Sequence, residues 1–557
     1  MKKNLLVLVT VLVLIWLFFP FALVKSQPMM GYSSIPDSDA DYLVSLRISK
    51  GEGLYSSFSI LYPPGRFFLQ ALLFKIFTPS VALSFTSHIS ATFVFFPAAL
   101  FVLSFYFFEL IFSQFRIKKY SSLISYVLSI AAILIYLDFF RSAQEVHVLS
   151  ALFFIIVLTA KKLTKVRLLS LGVLLGLIFL FRLDSGILLL DALFFLLIPL
   201  IFFKETPQKL PFLSGFGLVW VPTIIAIMIN GSLYNFLYDT LILGLIIQPK
   251  FMSLPIPFNE LRFVWLATLL FVMTAAAGIM VESKKMPHLV QRLGLQIFAV
   301  FVVVSYVTAL GRSDEPHLWY GLTWFPVLLL YTVVRVGIGI LRRERISIKT
   351  CVFIAIGFYT YGHVVLQLKS PAFFLISVPI IFLIIRRYTR SVFSVLIAGT
   401  ITALIVFHSV SYLKLLFVRQ TLPTTKGFQY SFVTSEGTEV GGMLMGTGSD
   451  EQVLQQIRAD IPAEEKYLFI FPKNVILNEY FHLTNPTRYI ILMNERSDWT
   501  EQQVIDQLNQ TRTKYFLIFP EPALLRKAQV WDWILANTTV IHEYQFSGEK
   551  AELRIRE

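Results

Sequence analysis

Apolar runs close to bilayer length fill residues 1–411, and the Lys and Arg gather in every second connector between them. After Leu5–Val24 the runs lie at 82–112, 121–137, 146–160, 167–183, 186–203, 211–231, 261–281, 293–310, 318–341, 350–366, 371–386 and 391–411. A helix needs about 20 apolar residues to cross a hydrocarbon core, so the pattern predicts about thirteen spans. The basic connectors are Arg116/Lys118/Lys119, Lys161/Lys162/Lys165/Arg167, Lys204/Lys209, Lys284/Lys285/Arg292, Arg342/Arg343/Arg345/Lys349 and Arg386/Arg387/Arg390. Positive loops stay in the cytoplasm, which gives one consistent threading. Met1-Lys2-Lys3 ahead of Leu5–Val24 looks like a signal peptide without a small-residue cleavage site. The expectation is an uncleaved first span, a cytoplasmic N-terminus and, with an odd number of spans, an extracytoplasmic tail.

The net charge of +14 raises the question of nucleic acid. Residues 1–411 hold 33 Lys and Arg against 16 Asp and Glu, whereas residues 412–557 hold 15 against 18. The whole basic excess is therefore topological, and no basic face is left for nucleic acid. Soluble domains carry about 25% charged residues, and this chain has 15%, with 56% hydrophobic. The single cysteine, Cys351, excludes an internal disulfide and a cysteine metal site.

Two units follow: a multi-spanning domain over 1–411, all α, and an α/β domain over 412–557. In the tail, Tyr467–Phe471 and Tyr515–Phe519 have the pattern of buried strands, and Glu501–Thr511 that of a helix. Between the first two spans, 25–81 forms the first external segment. It opens polar and becomes amphipathic over Arg66–Lys75, a stretch suited to the membrane surface. Residues 232–260, with Pro249, Pro255 and Pro257, have the character of a re-entrant or interfacial piece.

Acid chemistry concentrates in that first segment. Asp37, Asp39 and Asp41 alternate just before Tyr42, followed by Gly51 to Tyr55 and then Tyr62-Pro63-Pro64-Gly65-Arg66. A carboxylate at the lipid interface can act as general base on a hydroxyl or bind a divalent cation; a solvated acidic turn is the alternative. Arg182 with Asp184, and Arg312 with Asp314 and His317, stand at the outer ends of spans. Ionisable groups at membrane depth are costly, and they are either paired or functional. Guanidinium matches phosphate in charge and geometry, so Arg182, Arg312 and Arg66 are candidate phosphate contacts, with interfacial ion pairs as the alternative. Glu145 and His147, in the connector Asp138–His147, are candidates for holding an acceptor or, with an Asp, a metal. The aromatic excess of 54 Phe, 23 Tyr and 8 Trp is expected mostly to face lipid and the interface.

An acidic cluster before a Tyr, a Gly-x-x-x-Tyr and a Tyr-Pro-Pro-Gly entering the next apolar stretch resemble the first external loop of the GT-C membrane glycosyltransferases. The branch is that of protein O-mannosyltransferases (glycosyltransferase family 39) and lipid A aminoarabinose transferases. Gly311–Leu318, Tyr480-Phe481 and Asn485–Tyr489 resemble further motifs of that group. The resemblance implies a polyprenyl-phosphate-linked sugar as donor, inverting transfer to an acceptor hydroxyl on the external face of the cell envelope, and an Asp base in the first loop. Asp39 stands first for that base and Asp41 second. Arg66, Arg182 and Arg312 would hold the donor phosphate, and Tyr62, Glu145, His147, Asp184, Asp314 and His317 would position substrate. No cofactor is required by the sequence, and a divalent cation stays open. A secondary transporter or flippase of lipid-linked saccharide, and a non-catalytic member of the same fold, are the competing readings. Transporters tend to show two related halves, which this sequence lacks.

Overall fold

The computed structural model describes residues 2–25, 30–31, 36–77, 83, 90–113, 121–139, 143–202, 209–230, 232–247, 260–310, 320–341, 427–433, 439–445, 448–472, 477–489, 497–520, 528–546 and 549–557. The expected spans at 350–366, 371–386 and 391–411 lie outside these residues. Up to residue 341 the described residues are mostly helical. Helices occupy Lys2–Lys25, Ala91–Ser113 (opening with a π turn), Ser121–Phe139, Glu145–Thr159, Lys165–Phe181, Leu183–Phe202, Leu210–Ile229, Glu260–Ser283, Leu289–Leu310 and Phe325–Leu341. Apolar runs fix where these helices lie, and local chemistry fixes their ends. Thr164, for example, caps Lys165–Phe181 by accepting from the Arg167 N–H at 3.3 Å. Among the described residues, Ala91–Ser113, Leu210–Ile229 and Leu289–Leu310 are long and apolar enough to cross a membrane, and several others are apolar but shorter.

Two departures from the sequence pattern matter for the site. The run expected at 318–341 is broken by a turn at 322–324 and resumes as regular helix from Phe325, where Pro326 supplies a helix-starting residue, leaving Tyr320 ahead of the turn. Residues 36–49 form a helix rather than an acidic turn. Pro36 stands at its first position with acids in its opening turn, a combination that favours helix initiation.

The helices pack around an aromatic core, which corrects the expectation of mostly lipid-facing rings. Phe96, Phe101, Phe105, Phe107, Phe108, Phe153, Phe154 and Phe298 are buried. Buried Trp324 lies at their centre, in tilted or edge-on ring contacts of 5.4 to 6.3 Å with Phe96, Phe154, Phe298 and Phe301. Lys165–Phe181 and Leu210–Ile229 cross at contact distance because a Cβ at Gly172 would strike the Phe212 carbonyl, and one at Gly215 the Leu169 carbonyl. Small residues allow this approach where apolar area gives no drive between helices.

The tail is α/β. Strand β4 (Leu468–Phe471) pairs in parallel with β5 (Tyr515–Ile518), and β5 pairs antiparallel with β7 (Glu549–Ile555), which carries β6 (Thr539–Phe546) at the edge. Strand alternation divides the side chains. Phe469, Phe471, Phe516 and Ile518 meet Val504 and Leu508 of helix Asp498–Gln510 and Val530 and Ile534 of helix Gln529–Asn537. Leu468, Ile470 and Leu517 join Leu454 and Ile457 of helix Gly448–Ala459 on the other face. A smaller sheet joins β2 (Gly427–Val433), β3 (Glu439–Met445) and the short β1 (Met30–Gly31), so the first segment is bonded to the tail.

Tail helices lie on both faces of the larger sheet, and residues of the first segment join one of them, so the expectation is a unit able to fold by itself. Residues 427–557 expressed alone should therefore be soluble and unfold in one cooperative thermal transition. A fragment that aggregates or melts without a transition would show that contacts to residues 42–74 are required to close it.

Candidate functional site

The first segment folds as two helices joined by a tight loop. Helix Pro36–Ser49 ends at Gly51, whose φ of +93° lets the Gly51 and Glu52 N–H groups turn back to the Ile48 and Arg47 carbonyls at 3.0 Å each. Helix Gly65–Ile76 then packs against the first. Ser45 donates to Gln70 at 2.7 Å, and Tyr42 meets Phe74 edge-on at 5.7 Å. Gly65 seats this pair on the bundle: a Cβ there would lie 2.6 Å from the Leu180 carbonyl oxygen. That contact sets Arg66 beside the end of Lys165–Phe181, where Arg182 leaves the helix.

Arg66 Nη1 pairs with Asp41 Oδ2 at 2.8 Å, and its Nε lies 3.9 Å from Glu145 Oε1. Arg182 Nε reaches the two Asp184 oxygens at 3.0 and 3.1 Å, and Nη1 donates to Gln144 Oε1 at 3.0 Å. Gln144 in turn donates to the Tyr320 hydroxyl, and the Arg182 guanidinium lies 5.2 Å from the Tyr320 ring centre. Burial alone would lower the Arg66 guanidinium pKa. The carboxylates of Asp41 and Glu145 overcome it and raise that pKa. Tyr62 and Tyr320 are electrostatic neighbours of both arginines, so the two cations belong to one cluster.

Helix Glu145–Thr159 holds the far wall. Its start is tied down by Thr92 donating to the Ala143 carbonyl at 2.6 Å, and by the Ala143 N–H donating to the Tyr136 hydroxyl at 3.2 Å. His147 Nδ1 accepts from the Gln144 N–H at 3.0 Å, and its ring stacks on Tyr320 at 6.0 Å. His147 thus caps the helix and supports Tyr320. Among the described residues no three His, Cys, Asp or Glu side chains gather as a metal site.

Asp41, Tyr62, Arg66, Glu145, His147, Arg182 and Asp184 are therefore brought to one end of the bundle. Asp39 lies on the same helix as Asp41, but its side chain is outside the described residues, as are Arg312, Asp314 and His317. Sequence reasoning missed Tyr320, which it absorbed into a span, and Gln144, the polar bridge between Arg182 and Tyr320.

The loop between the two helices is strained and fully tied. Tyr55 is buried with φ +68°, a left-handed conformation that costs a non-glycine residue about 1–3 kcal/mol. Its N–H donates to the Phe58 carbonyl at 2.9 Å, its hydroxyl to the Tyr62 carbonyl at 2.6 Å, and its own carbonyl accepts from Asn235 Nδ2 at 2.9 Å.

Gly65→Ala should lower the melting temperature of the detergent-solubilised protein, because backbone rather than a flexible side chain blocks the new methyl. The expected cost is about 1–3 kcal/mol, as for other overpacked positions. Gly217→Ala is the control, since its Cβ would meet nothing closer than Val221 Cγ2 at 4.0 Å. Equal melting of the two variants would disprove the seating role of Gly65.

No family model and no curated protein matches the sequence. Among solved structures the chain is similar to ArnT from Cupriavidus metallidurans bound to undecaprenyl phosphate, at 10% identity over 99% of this chain and 97% of that one, with a TM-score of 0.44. It is also similar to the same protein in its apo state, at 11% identity over 98% and 97%, with a TM-score of 0.47.

Proposed function

We propose that this chain is a membrane glycosyltransferase that takes a sugar from a polyprenyl-phosphate donor and passes it to an acceptor hydroxyl on the extracytoplasmic face. The observation that carries the reading is the shared cluster of Arg66 and Arg182 beneath the acidic first segment. Two guanidiniums at one end of an apolar bundle suit the phosphate of a lipid whose chain lies in the bilayer. The first-segment motif supports the same assignment.

In the proposed reaction the Asp39 carboxylate takes the acceptor hydroxyl proton as the oxygen attacks the anomeric carbon. The bond from that carbon to the donor phosphate breaks, its electron pair leaves with the lipid phosphate, and the anomeric centre inverts. Arginines stabilise the charge growing on the leaving group, where preorganised cations contribute most. Asp41, engaged by Arg66 at 2.8 Å, is assigned to orienting that cation rather than to proton transfer. Tyr62, Glu145, His147 and Asp184 are assigned to positioning the substrate. Sugar transfer, rather than transport of the lipid-linked saccharide, is the outcome that turnover of a labelled donor by purified protein decides.

Asp39→Asn should cut turnover about 100-fold or more, the lower part of the range for a lost general base, with undecaprenyl phosphate binding nearly unchanged. Asp41→Asn should instead weaken binding. If Asp41→Asn alone abolishes turnover while binding persists, Asp41 is the base. If neither variant matters, the first segment is not the catalytic region and Glu145 becomes the acid to examine.

Charge balance assigns a role to Arg312. The described cluster sets two guanidiniums against the carboxylates of Asp41, Glu145 and Asp184. A phosphate entering it needs further positive charge, and Arg312, with Asp314 and His317 close in sequence, is proposed to bring it. Arg312→Ala should weaken undecaprenyl phosphate binding by about 1.5–3 kcal/mol, the range for a hydrogen bond to a charged group. Arg312→Lys should recover part, since an ammonium lacks the planar fork. Normal binding by the Ala variant would remove Arg312 from the site.

A further inference from the structure

Among the described residues, a buried ionic contact joins the tail to the Leu233–Ile247 segment. Asn485 accepts from the Thr487 N–H at 3.0 Å and donates to the Tyr489 carbonyl at 3.2 Å, closing a turn that carries Arg488. Gln507 accepts from the Arg488 N–H at 2.8 Å, and Gln503 from the Tyr489 hydroxyl at 2.5 Å, so helix Asp498–Gln510 fixes that turn within the tail. From it, Arg488 Nη2 reaches Asp239 Oδ2 at 2.7 Å. Asp239 belongs to the Leu233–Ile247 segment, and only 1% of it is exposed.

The same contact grips the strained loop. Ser59 donates to Asp239 Oδ2 at 2.8 Å, and its N–H donates to the Arg488 carbonyl at 2.7 Å. Arg488 Nη2 also lies 3.5 Å from the Tyr55 carbonyl, the oxygen that Asn235 already engages. From Tyr55 the path continues through its hydroxyl to the Tyr62 carbonyl, and four residues later to Arg66. Trp499 of the tail adds a ring contact to Tyr238 at 4.5 Å. Burial pushes the Asp239 carboxyl up to about 6, against the pull of Arg488 and Ser59, so it is still largely ionised at neutral pH.

We propose that the C-terminal unit is a positioning part of the donor site: Arg488, locked on Asp239, holds the Gly53–Tyr62 loop in its left-handed turn and so sets Tyr62 and Arg66 where a lipid phosphate is gripped. This rests on the reading of the Arg66 and Arg182 cluster as a phosphate site. Beyond pairing with each other, Arg488 meets Tyr55 and Asp239 meets Ser59, in the loop rather than at Arg66 or Arg182, so both act through the loop. Other tail-to-bundle contacts could hold the two units together, but this one bears on the residue whose backbone is strained.

The test uses the full chain in nanodiscs, with undecaprenyl phosphate as the probe and amide hydrogen exchange as a second readout. Arg488→Ala should speed exchange across residues 54–62 and leave Ala91–Ser113 and Leu289–Leu310 unchanged. It should weaken undecaprenyl phosphate binding about tenfold, the equivalent of one charged contact. Asp239→Asn, which keeps shape, should do the same to a smaller extent. The double variant should be no worse than Arg488→Ala, because both act through one interaction. Arg488→Lys should restore part of both signals. If Arg488→Ala loosens the loop and binding is unchanged, the contact is only a strut and the proposal fails. If the wild type itself does not bind the probe, the phosphate reading falls and takes this proposal with it.

Discussion

Guanidinium and carboxylate groups held away from bulk water must find each other, and that need organises the whole end of the bundle. Arg66 and Arg182 are about three-quarters buried, with side chains 23% and 26% exposed. Leaving such a charge unpaired costs several kcal/mol, so each position where a carboxylate stands is fixed by a guanidinium near it. Asp41 holds helix Pro36–Ser49 to Arg66, Glu145 brings the start of the next wall towards the same cation, and Asp184 with Gln144 fixes Arg182. Four chain segments that are distant in sequence meet for one electrostatic reason.

Close backbone approach makes those pairings possible. Gly65 against Leu180 brings the second helix of the first segment onto the bundle. The left-handed Tyr55 turn survives because its N–H, carbonyl and hydroxyl are all engaged. Strain of this kind persists only where surrounding contacts over-determine it. The Asp239–Arg488 pair supplies one of those contacts from the far end of the sequence. Position in the site is thus inherited from packing outside it.

Most of the scaffold was legible in the sequence, for a physical reason. A run without charge has one solvent in which it is stable, so the helices at 121–139, 145–159, 165–181, 183–202 and 210–229 fall where the apolar runs predict. Continuous apolar runs did the same for β4 and β5, whose residues are buried throughout. Motif residues Gly51, Tyr55 and Gly65 were visible too, although their conformational roles appear only once φ angles and close contacts are known. Tyr320 was hidden because an aromatic at the edge of an apolar run looks like more of that run. Asp239 left a usable signal, a lone carboxylate within the apolar stretch Leu233–Ile247. Its partner lies 249 positions away, and pairings at that range belong to the tertiary fold. The ring-rich core was misjudged for a related reason: composition counts aromatics without saying which side of a helix they occupy.

On the proposed reading, the paired state of the arginines also bears on which anion they can accept. Their carboxylate partners are part of the fold, so a ligand does not meet bare cations. It must compete with, or extend, bonds that already exist. The gain on binding is then the difference between two anions as partners, not the full attraction of either. A carboxylate offers a guanidinium two oxygens in one plane, and Asp184 already uses both on Arg182 Nε. A phosphate ester has oxygens directed to several sides and can bridge donors from two arginines at once. Only an anion able to span both guanidiniums improves on the existing pairs, because it adds contacts without requiring each carboxylate to leave. That selects for phosphate over a simple carboxylate, and it makes the spacing between Arg66 and Arg182, rather than the charge of either, the property the surrounding fold has to hold constant.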